Sequence, residues 1–428
     1  SHDREETAGV PLKDKYTGFD GQKVDWSYGT GDETLSYKEY RMEYESAVNA
    51  VTAIEIPLKQ VKDKNGSVKI VQMEGKEALL SDRASDYIEF EADIPSDARY
   101  QLEIEYYLTD GSSDAGKRTL YIDGEYPFTE SRDIAFYRYF KDEGEPVINS
   151  LGDETRPSQV AIPGWRTTLL QDTSGMYNEP FQFYLTKGKH TFRLTYMRAD
   201  MYIAAIRFIA PKEIRSYAEV KQEYISAGYQ PANIEKLHIQ AELTAIEKNN
   251  PTLRRENDGD PLVEPASDTS RKLNVMGGYR WRAGNQSITW EFEVPEDGLY
   301  KIGLYVKQSW NDGLPSYRQI ALDGEVPFAE MLQYRFAYNT SWSLEELADE
   351  SGAPYEFYLT KGVHHLTMTV KLGEVGQVLD SIQEDIMVLS DLLLNITLLA
   401  GSDPDPNYDY GFFDKIPNMQ GQMEYLVE

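Results

Sequence analysis

Cysteine is absent from this sequence of 428 residues, which excludes disulfide bonds, thiolate zinc sites and cysteine nucleophiles. Basic side chains are scarce, because 43 Lys and Arg face 72 Asp and Glu and leave a formal net charge of −29. An acidic surface repels phosphate backbones and anionic headgroups, so nucleic acid and membrane surfaces are not expected partners. No stretch reaches the roughly 18 apolar residues that a membrane-spanning helix needs, so direct membrane insertion is not expected either.

Motifs of catalysis are missing as well. The sequence contains no nucleophile elbow, Walker loop, dinucleotide-binding glycine turn or H-E-x-x-H helix. Its 5 histidines do not cluster with metal-ligand spacing, and its carboxylates are too abundant to single out a glycosidase pair. We therefore predict a protein without enzymatic activity.

An internal duplication is the strongest positive feature. The segment IDGEYPFTE at 122–130 returns as LDGEVPFAE at 322–330, an offset of 200. Further along, FYLTKGKH at 183–190 returns as FYLTKGVH at 357–364, an offset of 174. Repeat one thus carries 26 more residues than repeat two between these blocks, in an extra segment at about 141–178. Blocks repeated in the same order indicate two copies of one fold.

Within each block, apolar and polar residues alternate, as at 87–94 and 288–294. A period of two predicts half-buried antiparallel strands, and the Asp-Gly pairs at 123–124 and 323–324 predict tight hairpin turns. Their aspartates are interpreted as turn formers. The spacing of the strands predicts a mainly β fold with two antiparallel β-sandwich (jelly-roll) domains.

Two segments have helical periodicity. Residues 212–227 are predicted to form a linker helix that Gly228 ends, and residues 375–400 a helix about 39 Å long. The predicted organisation is an N-terminal extension at 1–35, repeat one at 36–211, a helical linker at 212–234, repeat two at 235–373, and a helical segment and tail at 374–428. Repeat one is expected to close with a strand at 202–208, whereas repeat two shows no such strand and looks incomplete.

The long helix carries an apolar stripe that needs a partner. Its members are Val378, Leu379, Ile382, Ile386, Leu389, Leu392, Leu393, Ile396 and Leu399. We expect them to pack against further chain, another copy of the protein, or the tail, which could return as a short helix at 418–427. Assembly or additional chain is favoured over coverage by the tail.

The order of these motifs resembles the galactose-binding-like jelly rolls of carbohydrate-binding module families six and thirty-five. The resemblance rests on GGY at 277–279, on ITWEFEVPEDGLY at 288–300, on LDG at 322–324 and on LTKGVHHL at 359–366. Repeat one fits from 87 to 208 but lacks the Gly-Gly-Tyr element. The resemblance implies carbohydrate binding and, in the acidic first strands, a structural calcium ion.

The tandem arrangement also resembles the N-terminal region of large extracellular solute-binding proteins of ABC transporters in Bacillota. It rests on the DGE-x-P-F hairpins, the linker helix, and GSDPDPNYDY at 401–410 after the long helix. It implies an extracellular or cell-surface location, although an export signal is not present in this chain, and a transporter as a partner.

Sugar binding needs exposed aromatic faces beside hydrogen-bonding side chains. Repeat two offers these in two loops, and repeat one offers Trp165 in its extra segment. The candidate ligand-binding residues are Tyr279, Trp281, Trp310, Asn311, Asp312 and Trp165. The alternative for each ring is packing at the sandwich end or between repeats. The loop of repeat one at 109–113 has no aromatic residue, so repeat two should dominate any glycan binding.

Calcium ligands would come from Glu43 and Glu45 in repeat one and Glu242 in repeat two, each expected in a first strand. Solvated strand carboxylates are the alternative. The leading hypothesis is non-catalytic binding of a poly- or oligosaccharide by an extracellular protein linked to glycan uptake. A structural or assembly protein and the accessory region of a polysaccharide-degrading enzyme are the alternatives.

Overall fold

The computed structural model describes residues 34–109 and 113–427. Residues 44–373 form one compact unit, and residues 374–427 group with 34–43 in another. The fold is mainly β and its strand pairs are antiparallel, as predicted. The boundaries proposed for the two repeats stay a prediction, and residues 1–33 of the N-terminal extension lie outside the described residues.

The bounds of the elements follow the chain. The strands through repeat one are β1 (Ile54–Glu55), β2 (Lys62–Asp63), β3 (Ile70–Met73), β4 (Lys76–Ser81), β5 (Tyr87–Ile94), β6 (Ala98–Leu108), β7 (Gly116–Ile122), β8 (Ile134–Phe136), β9 (Phe140–Asp142), β10 (Val147–Ile148), β11 (Glu154–Thr155), β12 (Gln159–Ala161), β13 (Arg166–Leu169), β14 (Phe183–Leu185), β15 (Gly188–Arg198) and β16 (Met201–Ile209). The strands of repeat two are β17 (Ala245–Lys248), β18 (Arg255–Glu256), β19 (Val275–Met276), β20 (Ser287–Val294), β21 (Gly298–Tyr300), β22 (Gly303–Gln308), β23 (Ser316–Leu322), β24 (Tyr334–Phe336), β25 (Asn339–Glu346), β26 (Phe357–Leu359) and β27 (Gly362–Lys371). The α-helices are α1 (Tyr37–Glu43), α2 (Tyr217–Ala227), α3 (Ala241–Thr244), α4 (Glu374–Ala400), α5 (Phe412–Lys415) and α6 (Met419–Val427).

Repeat one is a sandwich of two sheets. One sheet has the order β13-β6-β16-β4-β3, with β1 on β16 and β14 on β6, and the other has the order β2-β5-β15-β7-β8. Phe192 of β15 joins the two layers, because its ring centroid lies 5.5 Å from that of Phe90 in its own sheet and 4.6 Å from that of Phe208 in the facing sheet. The closing strand predicted at 202–208 is present as β16.

The strand registers reproduce the duplication. Phe192 faces Phe90 and Ile122 in repeat one, and Leu366 faces Trp290 and Leu322 in repeat two. A stacked ring pair recurs at the same offsets, with centroids 5.7 Å apart for Phe128 and Phe183 and 5.4 Å apart for Phe328 and Phe357. The hairpins recur too, since Asp123 and Asp323 both have φ 52° and each precedes a glycine of positive φ, as a two-residue Asp-Gly turn requires.

The extra segment of repeat one extends the main sheet of repeat two. That sheet has the order β12-β9-β17-β20-β27-β23-β24, so β9 and β12 form its edge. Asn178 binds Gln333 at 2.6 Å, and Gln319 donates to the carbonyl of Asn178 at 2.7 Å. The change in repeat offset from 200 to 174 identified this segment as an insertion but did not reveal that part of it pairs with the other repeat's sheet.

The linker helix is shorter than predicted, because it begins at Tyr217 rather than at residue 212. Ser216 caps it: its hydroxyl accepts a hydrogen bond from the Glu219 N–H, and the Glu219 carboxylate accepts one from the Ser216 N–H. Gly228, at φ 73°, ends the helix as predicted. Ser36 and Glu39 make the same reciprocal bonds at the start of α1, so the S-Y-x-E signal occurs at the start of repeat one and again before repeat two, which the sequence comparison missed.

The predicted long helix is present as α4, and the predicted tail helix is present as α6. The tail covers only the end of the apolar stripe, where Leu392 is buried with Ile416 and Met419, and Ile396 and Leu399 pack against them. Six of the nine stripe residues are exposed, namely Val378, Leu379, Ile382, Ile386, Leu389 and Leu393. Their coverage by assembly or further chain stays a prediction. Across residues 34–109 and 113–427, no helix combines the length and hydropathy that crossing a membrane requires.

Candidate functional site

Two exposed rings meet on neighbouring loops of repeat two. Tyr279 lies in the short 3₁₀ turn Gly278–Arg280 after β19, and Trp310 lies in the loop between β22 and β23. Their ring centroids are 5.0 Å apart with planes at 61°, an edge-to-face pair. Tyr279 is 50% exposed and Trp310 is 69% exposed, so both keep a large solvent-facing surface. The structure thus brings together two of the aromatic residues predicted to bind ligand.

Backbone geometry holds each loop in place. In the first loop, a Cβ on Gly277 would lie 2.8 Å from the Trp281 ring, and the φ of 97° there also favours glycine. In the second loop, Asp312 at φ 43° and Gly313 at φ 87° form the turn, while the Asn311 amide donates to the carbonyl of Pro315 at 3.0 Å. Asn311 therefore braces the Trp310 loop, and Asp312 presents an exposed carboxylate beside it.

Arg282 occupies one side of Tyr279. Its guanidinium carbon lies 4.0 Å from the ring centroid, and its Nη1 donates to the Tyr279 hydroxyl. This cation–π contact fixes the tilt of the tyrosine ring. The indole of Trp310 is the more exposed ring of the two.

Trp281 has a different environment from the other candidates. Its ring packs edge-on against Trp290 at 5.9 Å, and its indole N–H donates to the carbonyl of Gln286 at 3.3 Å. The guanidinium of Arg318 lies 4.4 Å from the Trp281 ring centroid. Burial lowers the pKa of Arg318 to about 10. We interpret Trp281 as a packing residue under the loop, which was the alternative considered for it.

Trp165 makes its contacts within repeat one. Its ring lies 5.6 Å from the Tyr107 ring in an edge-to-face arrangement, and Nζ of Lys76 lies 5.6 Å from the Trp165 centroid. Its indole N–H donates to the carbonyl of Glu74 at 3.4 Å. The predicted counterpart loop of Trp310 in repeat one is at 109–113, and its residues 110–112 lie outside the described residues.

The placement predicted for the calcium ligands is wrong. Glu43 ends helix α1, Glu45 follows it in a turn, and Glu242 lies in helix α3, so none of the three is in a strand. Glu242 is buried, and burial raises the pKa of its carboxyl. The acidic residues were expected in strands, but local helix signals determine the structure here, such as the capping residue Ser36 before α1. Within the described ranges, no three His, Asp or Glu side chains come together as a metal site would need.

A cleft of about 360 Å³ opens on the outer face of the β2-β5-β15-β7-β8 sheet, and the sequence analysis missed it. Arg193 donates twice to one carboxylate oxygen of Glu89, at 2.9 and 2.7 Å, and its guanidinium lies 4.2 Å from the Tyr87 centroid. Tyr121 forms another part of the wall. The alternation of apolar and polar residues in β5 and β15 could have indicated this cleft, because the cleft residues of these strands lie between buried residues. At the same offsets repeat two has Ser287, Thr289, Ala321 and Thr367.

Another aromatic pair lies on the ribbon formed by β22 and β25. Tyr305 and Trp342 stack with centroids 5.7 Å apart, and the Trp342 indole N–H donates to Asp258 Oδ2 at 2.9 Å. Lys307 Nζ lies 3.1 Å from the same oxygen. Burial raises the pKa of Asp258, but hydrogen bonds from Asp260, Trp342 and Lys307 outweigh it, so the pKa is lowered overall. The strand β22, which carries Tyr305, leads directly into the Trp310 loop.

No family model matches this chain, and no curated protein matches it either. Among solved structures it is similar to a family 35 carbohydrate-binding module from Clostridium thermocellum, with 12% identity over 38% of this chain and 100% of that chain and a TM-score of 0.24. It is also similar to the C-terminal family 6 module of a laminarinase from Zobellia galactanivorans, with 13% identity over 37% of this chain and 99% of that chain and a TM-score of 0.22. A third is a family 22 xylan-binding domain from Paenibacillus barcinonensis, with 12% identity over 39% of this chain and 99% of that chain and a TM-score of 0.22. At TM-scores this low the likeness is no basis for fold or function, and both rest on the residues of this chain.

Proposed function

We propose that this protein binds carbohydrate without transforming it, through the edge-to-face pair of Tyr279 and Trp310. The exposure of both rings carries the proposal, because a loop tryptophan that is 69% exposed offers a stacking surface for a pyranose ring. Arg282 contacts the Tyr279 ring and supplies a charged hydrogen-bond donor. Asp312 lies two residues after Trp310 in the sequence and supplies a carboxylate acceptor. Aromatic surface combined with a few polar groups is the composition of a sugar-binding site.

The test is a glycan array on the whole chain, followed by calorimetry with the best ligand. Trp310→Ala should weaken binding by about ten- to thirtyfold, since one stacking face in a shallow site contributes roughly 1–2 kcal/mol. Tyr408→Ala is the matched control, because Tyr408 is an exposed aromatic residue outside both repeats, and it should leave the affinity within about twofold. Undiminished affinity in a folded Trp310→Ala protein would remove this site from the proposal.

The cleft at Arg193 is the second candidate site for the same function. Its guanidinium–carboxylate pair beside Tyr87 and Tyr121 offers both donors and acceptors to vicinal hydroxyls. We expect it to be the weaker site, because Arg193 already lies against the Tyr87 ring.

The biological setting belongs to the proposal too. We propose an extracellular or cell-surface protein linked to ABC-type glycan uptake, and this rests on the sequence resemblance alone. Transport genes beside the gene would support it, whereas a fused catalytic domain would favour the accessory region of a polysaccharide-degrading enzyme. The exposed face of α4 favours the remaining alternative, an assembly role through protein contacts, in addition to glycan binding.

A further inference from the structure

A buried lysine and a buried asparagine meet at one end of the main sheet of repeat two. Lys371 is the last residue of β27, and Asn285 lies two residues before β20. These strands pair from Ser287 and Thr369 onward, so Asn285 and Lys371 continue the same register two positions further. Lys371 is 4% exposed and Asn285 is 1% exposed, and Nζ of Lys371 lies 2.9 Å from Oδ1 of Asn285. An amine and a carboxamide from neighbouring strands therefore face each other away from water.

Hydrogen bonds fix the orientation of this carboxamide. Its Nδ2 donates to the backbone carbonyl of Asp172, which leaves Oδ1 on the side of the amine. The backbone N–H of Asn285 donates to the carbonyl of Val370 at 2.9 Å, and the carbonyl of Asn285 accepts from the Asn249 amide at 2.7 Å. Both the backbone and the side chain of Asn285 are thus held in place. Two groups positioned in this way react as if at a very high local concentration.

The surroundings of the Lys371 amine favour its neutral form. Nζ donates to Oδ1 of Asn285 and, at 3.2 Å, to the carbonyl of Tyr177. These two acceptors match the two N–H groups of a neutral amine, whereas an ammonium group has three. Burial lowers the pKa of Lys371 to about 8, although the charge of Asp172 acts in the opposite direction. A desolvated lysine of this kind has its lone pair available for nucleophilic attack.

We propose that Lys371 and Asn285 join in an intramolecular amide (isopeptide) bond that the folded chain forms by itself. Nζ of Lys371 forms a bond to Cγ of Asn285, and the bond between Cγ and Nδ2 breaks with its electron pair. The amine loses one proton, the departing nitrogen gains it, and ammonia leaves, so no oxidant, reductant or further reactant is needed. The hydroxyl of Tyr137 interacts with the Asn285 side chain and can carry this proton.

The bond would connect the end of β27 to the start of β20. Lys371 and Asn285 are 86 positions apart, and a covalent link across so long a loop restricts the unfolded chain. A disulfide cannot supply such a link here, because the sequence contains no cysteine. The proposal goes beyond carbohydrate binding and does not depend on it.

The test is the mass of the intact chain, measured after denaturation. It should lie about 17 Da below the mass calculated from the sequence, which is the mass of one ammonia molecule. Tryptic digestion and tandem mass spectrometry should then give a branched peptide that joins the segment around Asn285 to the segment around Lys371. Trypsin should not cleave after Lys371, because its amine is part of an amide.

Lys371→Met removes the amine but keeps a long apolar side chain, and it should restore the calculated mass. Asn285→Gly should restore it too, and glycine accepts the φ of 62° at this position. Lys361→Met is the control, because Lys361 is exposed in the turn before β27, and this variant should keep the loss of mass. Circular dichroism establishes that each variant is folded.

Three results would each overturn the proposal. The first is a calculated mass in the unchanged protein, which needs no variant to be folded. The second is a loss of mass that persists in Lys371→Met, since a ring closure at an asparagine also releases ammonia. The third is a digest in which the peptides of Asn285 and Lys371 are found unlinked.

Discussion

Arg318 holds Trp281 in two ways. Its guanidinium lies 4.4 Å from the centroid of the indole, and its Nη2 donates to the carbonyl oxygen of Trp281 at 2.9 Å. Repeat one has the hydrogen bond at an offset of 200, where Arg118 donates to the carbonyl of Ser81 at 2.9 Å, but the Arg118 guanidinium lies against the Tyr196 ring at 4.7 Å. Arg118 is fully buried and Arg318 is partly buried, and burial lowers the pKa of each to about 10. Arg118 therefore anchors the end of strand β4, whereas Arg318 anchors the loop before β20, which carries Tyr279.

Replacing Arg318 by Met should destabilise the protein and loosen the candidate site. The carbonyls of Trp281 and Tyr317 would lose their donor, and an unsatisfied buried acceptor costs roughly 1–3 kcal/mol. Urea unfolding measures this, with Arg335→Met on the exposed side of β24 as the control. Glycan affinity of the folded variant should fall as well, because Tyr279 lies two residues before Trp281. An unfolding free energy equal to that of the unchanged protein would show that the arginine is not needed.

Gly284→Ala should disrupt the packing of the extra segment of repeat one against repeat two and destabilise the protein. A Cβ at Gly284 would lie 1.7 Å from the backbone oxygen of Ser174, which cannot move as a flexible side chain does. Overpacking of this kind costs roughly 1–3 kcal/mol, so the urea midpoint should fall. Gly259→Ala is the matched control, because nothing lies within 4 Å of its Cβ position. Similar midpoints for the two variants would contradict the packing of Ser174 on this glycine.

His364 should make the stability depend on pH. Burial lowers its pKa, but hydrogen bonds to the carbonyl of Thr360 at 2.6 Å and to the Asp323 carboxylate at 2.7 Å raise it above the ordinary 6.5. Because the pKa is higher in the folded chain, the stabilisation is fully present below pH 6.5 and is lost as the pH rises through the raised value. Asp323 is half-exposed, so after solvent screening we expect on the order of 0.5–1 kcal/mol.

The measurement is urea unfolding at pH 5.5 and pH 8.5 for the unchanged protein and for His364→Gln. The substitution should cost more stability at pH 5.5 than at pH 8.5. His238→Gln, at an exposed position, is the control. A cost that is larger at the higher pH would reverse the sign argued here.

Arg193→Ala tests the cleft of repeat one. If the cleft binds sugar, losing the guanidinium should weaken binding by about fivefold, or on the order of 1 kcal/mol, less than Trp310→Ala does. The fold should tolerate the change, since a partly exposed ion pair contributes little to stability. Lys189→Ala, on the same strand but outside the cleft, is the control. Identical calorimetric titrations for both variants and the unchanged protein would exclude the cleft as a binding site.

Much of the fold could be predicted from the sequence because its signals are local. Alternation specified β5 and β20, the Asp-Gly pairs specified the hairpins at 123–124 and 323–324, and the duplication related the two repeats. The helix at 375–400 and the tail helix at 418–427 were predicted to within a residue, since spacing and Asp-Pro turns are local features too. The predicted start of the linker helix was wrong, because the capping box at Ser216 was overlooked.

Tertiary structure alone decided which side chains meet. Tyr279, Trp281 and Trp310 were all candidates in sequence, with Trp310 favoured, yet Trp281 packs under Arg318 while Tyr279 and Trp310 face each other at 5.0 Å. The cleft at Arg193 and the addition of β9 and β12 to the sheet of repeat two depend on strands far apart in the chain. Periodicity determines which face of a strand is buried, but the pairing of distant strands determines what that face touches.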